Sequence, residues 1–235
     1  MKRVCLITGA AGLLGTAFCR RHREEYDIVA VIRTRPVWVP SQFRQVVDPL
    51  APGHPLDSGT PVHEVRADLD TDAALEHVVD VALARFGHVD LLVTAAVHYG
   101  VSRIDEPGFA TLAMAQYWTN AIMPSRLAAV LAQRCWRGRE AENHAARRGV
   151  IHVSSTSACG RSAEFPLAGY AASKAALGTL VMHQAVEMRP LGIRVNALAP
   201  GTFGQGLPVA RVADRIVDID RGDTSGDVVF METTS

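Results

Sequence analysis

Seven short apolar runs, most of them separated by helical stretches, constrain this chain more than any other feature. Residues 4–7, 27–32, 62–67, 90–94, 150–153, 193–198 and 227–231 have the length and β-branched bias of strands, several of them apolar enough to be buried on both faces. Between the third and fourth runs, Ala74, Leu75, Val78, Val79, Ala82, Leu83 and Phe86 recur at helical spacing, and Gly87 stops the pattern. Further helical patterns cover residues 109–136, 167–188 and 209–219. Strands and helices that alternate in this way stack as a parallel sheet with helices on both faces. The expected fold class is therefore α/β, a doubly wound parallel sheet of about seven strands in one domain spanning residues 1–235. Two stretches stand apart. Residues 36–61 carry Pro36, Pro40, Pro49, Pro52, Pro55 and Pro61, which exclude a long helix and leave room for a short one over 41–47 at most. That stretch reads as an irregular insertion, either a surface flap or a contact surface. Residues 137–149 read as a polar connector.

The first strand runs into a glycine-rich turn, Thr8-Gly9-Ala10-Ala11-Gly12-Leu13-Leu14-Gly15, and then a helix that extends to Glu25. Glycines there let the backbone approach a pyrophosphate, and a helix N-terminus supplies free N–H groups and a positive dipole end. The spacing is Gly-x-x-Gly-x-x-Gly and not Gly-x-Gly-x-x-Gly. The second strand ends in Arg33-Thr34-Arg35. An acid at that edge favours the free ribose of NAD, whereas arginine accommodates the 2′-phosphate of NADP. Arg33 and Arg35 therefore point to NADP(H), with NAD(H) as the alternative. Ala95 and Ala96, just past the fourth strand, are small enough for a cofactor to lie close.

Composition removes several classes of partner. Hydrophobic residues make up 48% and charged residues 20%, as in an ordinary globular protein with ample core. Net charge is zero, so no global field attracts nucleic acid or an anionic membrane. Cys5, Cys19, Cys135 and Cys159 lack Cys-x-x-Cys spacing, which indicates neither a zinc site nor a disulfide framework. The histidines form no His-x-x-x-His pair, so no metal is expected. No apolar run reaches the ~20 residues of a membrane span, and the N-terminal apolar run is too short for a signal peptide. The expectation is a cytoplasmic protein.

Chemistry concentrates between Ser154 and Lys174. Tyr170 and Lys174 lie one helical turn apart on one face. A phenol loses its proton near pH ~10, and an ammonium beside it favours the phenolate. A neighbouring serine hydroxyl can hold a carbonyl or alcohol oxygen against the phenol, which completes a relay for interconverting C=O and C–OH. Lysine occurs only at Lys2 and Lys174 in a chain whose other cations are arginines. The tunable ammonium thus stands beside Tyr170. Pro124 lacks the N–H that would bond the carbonyl of Asn120, so the long helical pattern should loosen at Asn120.

With these pieces placed, the chain resembles the short-chain dehydrogenase/reductase family over nearly its whole length. The resemblance rests on Thr8-Gly9…Gly12…Gly15, Asp68-Leu69, Asp90-Leu91-Leu92-Val93, Asn120, Ser154-Ser155, Tyr170…Lys174 and Arg194-Val195-Asn196…Pro200-Gly201. It implies a Rossmann-type sheet, a nicotinamide cofactor and a catalytic tetrad of Asn120, Ser155, Tyr170 and Lys174. Tyr170 would be the acid/base, Lys174 would bind the nicotinamide ribose, and Asn120 would hold a relay water through its carbonyl. The implied cofactor contacts are Gly9, Gly12, Leu13, Leu14, Gly15, Arg33, Arg35, Asp68, Leu69, Ala95, Ala96, Tyr170, Lys174, Pro200, Gly201 and Phe203. The implied partners are a small carbonyl or alcohol substrate and further copies of the chain, as a homodimer or homotetramer.

Four features depart from the family pattern. The glycine spacing is similar to that of the longer sugar-nucleotide branch. Thr94-Ala95-Ala96-Val97 stands where Asn-Asn-Ala-Gly is usual. Family spacing to the tyrosine selects Ser157, whereas the strand pattern selects Ser155 at the sheet edge. Few residues separate Gly201 from the last helix, where a substrate-covering segment is usual. A wide mouth and a bulky substrate are then expected, unless residues 36–61 or a partner subunit cover the gap. The leading reading is an NADP(H)-dependent ketone/alcohol oxidoreductase. A sugar-nucleotide epimerase or dehydratase and a non-catalytic cofactor-binding scaffold are the alternatives.

Overall fold

A computed structural model describes residues 2–37, 62–159, 165–203 and 206–232. Within them, β1 (Arg3–Thr8), α1 (Leu13–His22) and β2 (Tyr26–Ile32) are followed by β3 (Val62–Arg66), α2 (Asp72–Phe86) and β4 (Leu91–Thr94). Next come α3 (Phe109–Tyr117), α4 (Met123–Leu131), α5 (Glu140–Ala145), β5 (Gly149–Val153) and α6 (Ala168–Met188). The chain closes with β6 (Arg194–Pro200), α7 (Val209–Arg221) and β7 (Val228–Met231). The strands form one parallel sheet in the order β3-β2-β1-β4-β5-β6-β7. This is the Rossmann-type doubly wound sheet. The short helix envisaged over 41–47, and nearly all of the proline-rich stretch, lie outside the described residues.

The sheet is sandwiched, which explains why its central strands read as continuous apolar runs. Along β1, Val4 and Leu6 enter one core, with Leu75, Val78, Leu127 and Val181 from α2, α4 and α6. Cys5 and Ile7 point the other way, to Phe18, Val212 and Ile216 from α1 and α7. Both faces are thus buried at alternate positions. Helix α2 is bounded as its sequence suggests. Thr71 caps its N-terminus by accepting the Ala74 N–H, and Gly87 ends it at φ 75° with its N–H bonded to the Leu83 carbonyl.

The π-helical turn Trp118–Ile122 joins α3 to α4 and contains Asn120. Pro124 follows in the first turn of α4, so the loosening expected from the missing N–H occurs where it should. The connector after it differs from expectation, because residues 140–145 form α5. Its buried residue is polar. Asn143 donates through Nδ2 to the carbonyls of Trp136 and Leu191 and accepts from Arg148, so apolar periodicity carries no trace of it. Among the described residues, no helix is long and apolar enough to cross a membrane.

Sheet order decides where a ligand can sit. The chain leaves β1 toward β2 and β3, then returns to β4 on the other side, so a crevice opens at the C-terminal ends of β1 and β4. There Thr8 receives the Ala95 N–H on its carbonyl and the Ala96 N–H on its hydroxyl, each at 3.2 Å.

Candidate active site

The turn after β1 is built around glycines that nothing else can replace. Gly9 has φ +67°, and a Cβ there would lie 2.6 Å from the Ala96 nitrogen. A Cβ at Gly15 would fall 2.4 Å from the Gly9 carbonyl oxygen, so α1 rests directly on the turn. Gly12 is the N-cap of α1 and provides no side-chain cap, and no acid stands in the first turn. The helix therefore presents free N–H groups and an uncompensated positive end, which suits a phosphate. Leu13 begins the helix and is 72% exposed. Leu14 corrects the sequence expectation in part. Its side chain is buried in the α1/α7 core, so its share in a cofactor contact is confined to the backbone N–H of the first turn.

A cleft of about 300 Å³ adjoins this turn, lined by Gly9, Gly12, Arg33, Arg35, Asp68, Leu69, Ala95 and Ala96 among others. These residues come from the ends of β1, β2, β3 and β4, as expected for the adenosine half of a dinucleotide. Sequence reasoning missed Trp118 and Thr119 of the π-helical turn and Met123 at the start of α4, which form one wall. Their position beside Asn120 was the one available signal. Trp118 lies under the Arg126 guanidinium at 5.4 Å. Tyr170, Lys174, Pro200, Gly201 and Phe203 do not line the cleft. Pro200 is the last, buried residue of β6, Gly201 donates its N–H to the Met231 carbonyl, and Phe203 packs against the α1/α7 core. No helix stands between Gly201 and Val209 among the described residues.

The second half of the site lies at the end of β5. Strand β5 delivers Ser154 and Ser155, both buried, and Tyr170 sits in the first turn of α6. The Ser155 hydroxyl lies close enough to the Tyr170 phenol to act on its protonation. Ser157 stands back in the 3₁₀ turn Thr156–Cys159 and donates its backbone N–H to Ser155 Oγ at 3.2 Å. Geometry thus brings Ser155, and not Ser157, to the phenol. Lys174 Nζ donates to the Val153 carbonyl at 2.7 Å, while Ser154 Oγ donates to the Lys174 carbonyl at 3.1 Å. Small residues hold α6 close to its neighbours. A Cβ at Gly169 would meet Gln116 Oε1 at 2.6 Å.

Asn120 is fully buried and ties three elements together. Its Oδ1 accepts the His98 N–H at 2.9 Å, and its Nδ2 donates to the His98 carbonyl and to Ser173 Oγ, both at 3.0 Å. Ser173 Oγ in turn donates to the Tyr170 carbonyl at 2.7 Å. Asn120 therefore links the segment after β4 to the helix that carries Tyr170.

Electrostatics correct one expectation. Burial pushes the Tyr170 phenol above its ordinary value, the Ser155 hydrogen bond pulls it down, and the neighbouring Tyr99 raises it. Lys174 does not lower it. That amine is itself fully buried, its pKa falls to about 7, and its hydrogen bond goes to a backbone carbonyl. Desolvation outweighs the attraction expected from helical spacing.

A second buried base lies beneath the site. His152 on β5 receives the Thr94 hydroxyl at Nδ1 (2.8 Å) and donates from Nε2 to Gln184 Oε1 (3.0 Å), because an amide oxygen only accepts. Burial, with Lys174 adding to it, lowers its pKa to about 4. The unfolded chain takes up this proton near pH 6.5 and the folded chain only near 4, so stability should fall as pH drops through that window. The loss is about 3 kcal/mol in all. Urea denaturation at several pH values between 4 and 7 should show this slope, and His152→Gln should flatten it. An unchanged slope in the variant would assign the acid lability to other groups.

Comparison with known proteins agrees with this geometry. The family model of the short chain dehydrogenases matches residues 3–213. The chain is 29% identical over 217 residues to a 3beta-hydroxysteroid dehydrogenase of Eggerthella lenta, covering 90% of this chain and 75% of that one. It is 30% identical over 216 residues to a cis-4-hydroxycyclohexanecarboxylate dehydrogenase of Sinomonas cyclohexanicum, covering 91% and 78%. Among solved structures, a short chain dehydrogenase from Mycobacterium smegmatis superposes with a TM-score of 0.77 at 23% identity, over 100% of this chain and 93% of that one. A short-chain dehydrogenase/reductase from Serratia marcescens gives 0.76 at 21%, over 97% and 95%. A glycine turn at the β1/β4 crevice and a serine–tyrosine pair at the end of β5 thus stand on the fold these relatives share, and the chain belongs to the short-chain dehydrogenase family, oxidoreductases that interconvert alcohols and ketones with a nicotinamide dinucleotide.

Proposed function

We propose that the protein is an NADP(H)-dependent oxidoreductase that interconverts a ketone and a secondary alcohol on a bulky substrate, such as an intermediate of specialised metabolism. The observation that carries the reading is the Ser155 hydroxyl set beside the Tyr170 phenol at the sheet edge, where it draws the phenol's pKa down, backed by the buried Lys174. The residues present fit a dinucleotide. Gly9, Gly12 and the first turn of α1 would hold its pyrophosphate, Asp68 and Leu69 its adenosine, and Lys174 with Tyr170 its second ribose. When bound, the nicotinamide supplies or takes up the hydride. In reduction, Ser155 holds the substrate oxygen and Tyr170 gives it a proton. In oxidation the phenolate takes that proton back, and Asn120, held in the π-helical turn, links the helix of Tyr170 to a relay from solvent.

Cofactor choice rests on Arg33 and Arg35, both exposed at the rim of the cleft. A guanidinium on the 2′-phosphate makes charge-assisted hydrogen bonds, each worth up to about 1.5–3 kcal/mol and less where solvent screens it. NADPH should bind at least ~10-fold more tightly than NADH, and Arg33→Ala should erase most of the difference. Equal affinities by calorimetry at one salt concentration would return both arginines to the surface. A bulky substrate is supported by the short passage from Gly201 to Val209 and by the names of the relatives, which act on a steroid and on a substituted cyclohexane. Loss of NADPH absorbance against a panel of cyclic and linear ketones tests the whole reading. The reading takes residues 1–235 as one domain. Self-association through α3, the π-helical turn and α6 is supported by the exposed Met114, Ile122, Met182 and Val186, as a homodimer or homotetramer.

A further inference from the structure

The segment after β4 holds a large aromatic side chain that the relay does not use. Tyr99 is 61% exposed, yet its ring meets that of Tyr170 edge-on, with centroids 5.1 Å apart and planes at 77°. The backbone on both sides of it is fastened by buried amides. Asn120 grips both the N–H and the carbonyl of His98. Gln116, 2% exposed on α3, donates from Nε2 to the Gly100 carbonyl at 2.9 Å. Glycines make room for this fastening. A Cβ at Gly100 would strike Leu112 at 2.8 Å, and one at Gly169, next to Tyr170, would strike the Gln116 amide oxygen.

A loop residue that only covered surface would need no such anchoring, since exposed loop side chains are ordinarily free to move. Here the ordering cost of the backbone around an exposed aromatic ring is met before any ligand arrives, which is the condition for preorganised binding. The rings of Tyr99 and Tyr170 form an edge-on aromatic corner that includes the phenol assigned to the substrate proton. A flat or chair-shaped ring fits against such a wall with its carbonyl directed to the phenol, whereas a flexible chain gains little from it.

We propose that Tyr99 is a specificity-determining residue that selects ketones and alcohols borne on a carbocyclic ring, and that Gln116 is a positioning residue acting through it. This assignment rests on the reading of Tyr170 as the acid/base, and the experiment below separates the two. NADPH-dependent reduction of cyclohexanone and of 2-hexanone is compared in wild type, Tyr99→Phe, Tyr99→Ala and Gln116→Leu. Tyr99→Ala should lower the preference in kcat/KM for the ring ketone by about tenfold, chiefly through KM, with NADPH affinity unchanged. Tyr99→Phe should keep the preference. Gln116→Leu should lower it in the wild-type background but not in the Tyr99→Ala background, a non-additivity that a merely structural role does not produce.

A second readout needs no turnover. The chain has four tyrosines, Tyr26, Tyr99, Tyr117 and Tyr170, so 3-fluorotyrosine labelling gives four fluorine resonances, assignable by single Phe substitutions. Cyclohexanone should shift those of Tyr99 and Tyr170 and leave that of the buried Tyr26 in place. Turnover of both ketones with a preference unmoved by Tyr99→Ala would overturn the assignment and leave the oxidoreductase reading standing. Should wild type turn over neither ketone, the fluorine shifts decide, and a Tyr99 resonance indifferent to cyclohexanone overturns the assignment.

Discussion

Tyr170→Phe should lower kcat by ~10²-fold or more while NADPH affinity and the unfolding midpoint stay close to wild type. The substitution removes one hydroxyl from a half-buried ring and leaves its edge-on contact with Tyr99 in place. What is lost is the hydroxyl beside Ser155, the proton donor of the proposed reaction. Steady-state kinetics on any ketone the wild type reduces provides the check, and wild-type turnover in the variant would end the relay reading. Direction matters too. Because burial holds the phenol above its ordinary pKa, it stays protonated at neutral pH and is ready to act as an acid. Reduction should therefore be flat through neutral pH, and alcohol oxidation should rise as pH increases. The serine is tested beside it. Ser155→Ala should cost far more rate than Ser157→Ala, since Ser157 reaches the phenol only through its N–H on Ser155.

The sequence made the fold legible where both faces of a strand are buried. Val4, Cys5, Leu6 and Ile7 feed two cores in turn, so β1 reads as an unbroken apolar run with few alternatives. Pro124 located the loosening at Asn120, because its missing N–H leaves that carbonyl without its helical partner, while the π-helical form of the turn emerged only in the fold. Legibility failed where burial is polar or where tertiary distance decides. Helix α5 buries an asparagine, and periodicity scores only apolar residues. The Trp118 wall and the Tyr99 strap lie far from the glycine motif in sequence and reach the site through the β4 crossover alone. Helical spacing puts Lys174 one turn from Tyr170 on α6, but spacing carries no information on solvent. Once both groups are buried, desolvation and not their separation sets their charge.

That last point has a thermodynamic consequence which is large enough to measure. Lys174 is fully buried, its hydrogen bond goes to the Val153 carbonyl, and its pKa falls from 10.5 to about 7. In the unfolded chain the same amine holds its proton up to about pH 10.4. Between these values the unfolded state carries a proton that the folded state has given up, so stability rises with pH across the window. It is lost again as pH falls toward 7, at about 1.4 kcal/mol per unit. A methionine at this position has similar length and no charge. Relative to Lys174→Met, the wild-type protein should therefore gain several kcal/mol between pH 7 and 10. The unsatisfied Val153 carbonyl in the variant shifts the two curves by a constant and leaves the slope intact. The measurement is urea unfolding of both proteins without cofactor at half-unit pH steps. Parallel curves would mean that the ammonium stays charged in the folded state, with a counter-charge or water beside it. Diverging curves would mean that the fold keeps Lys174 buried at the expense of stability, as an amine held neutral by desolvation.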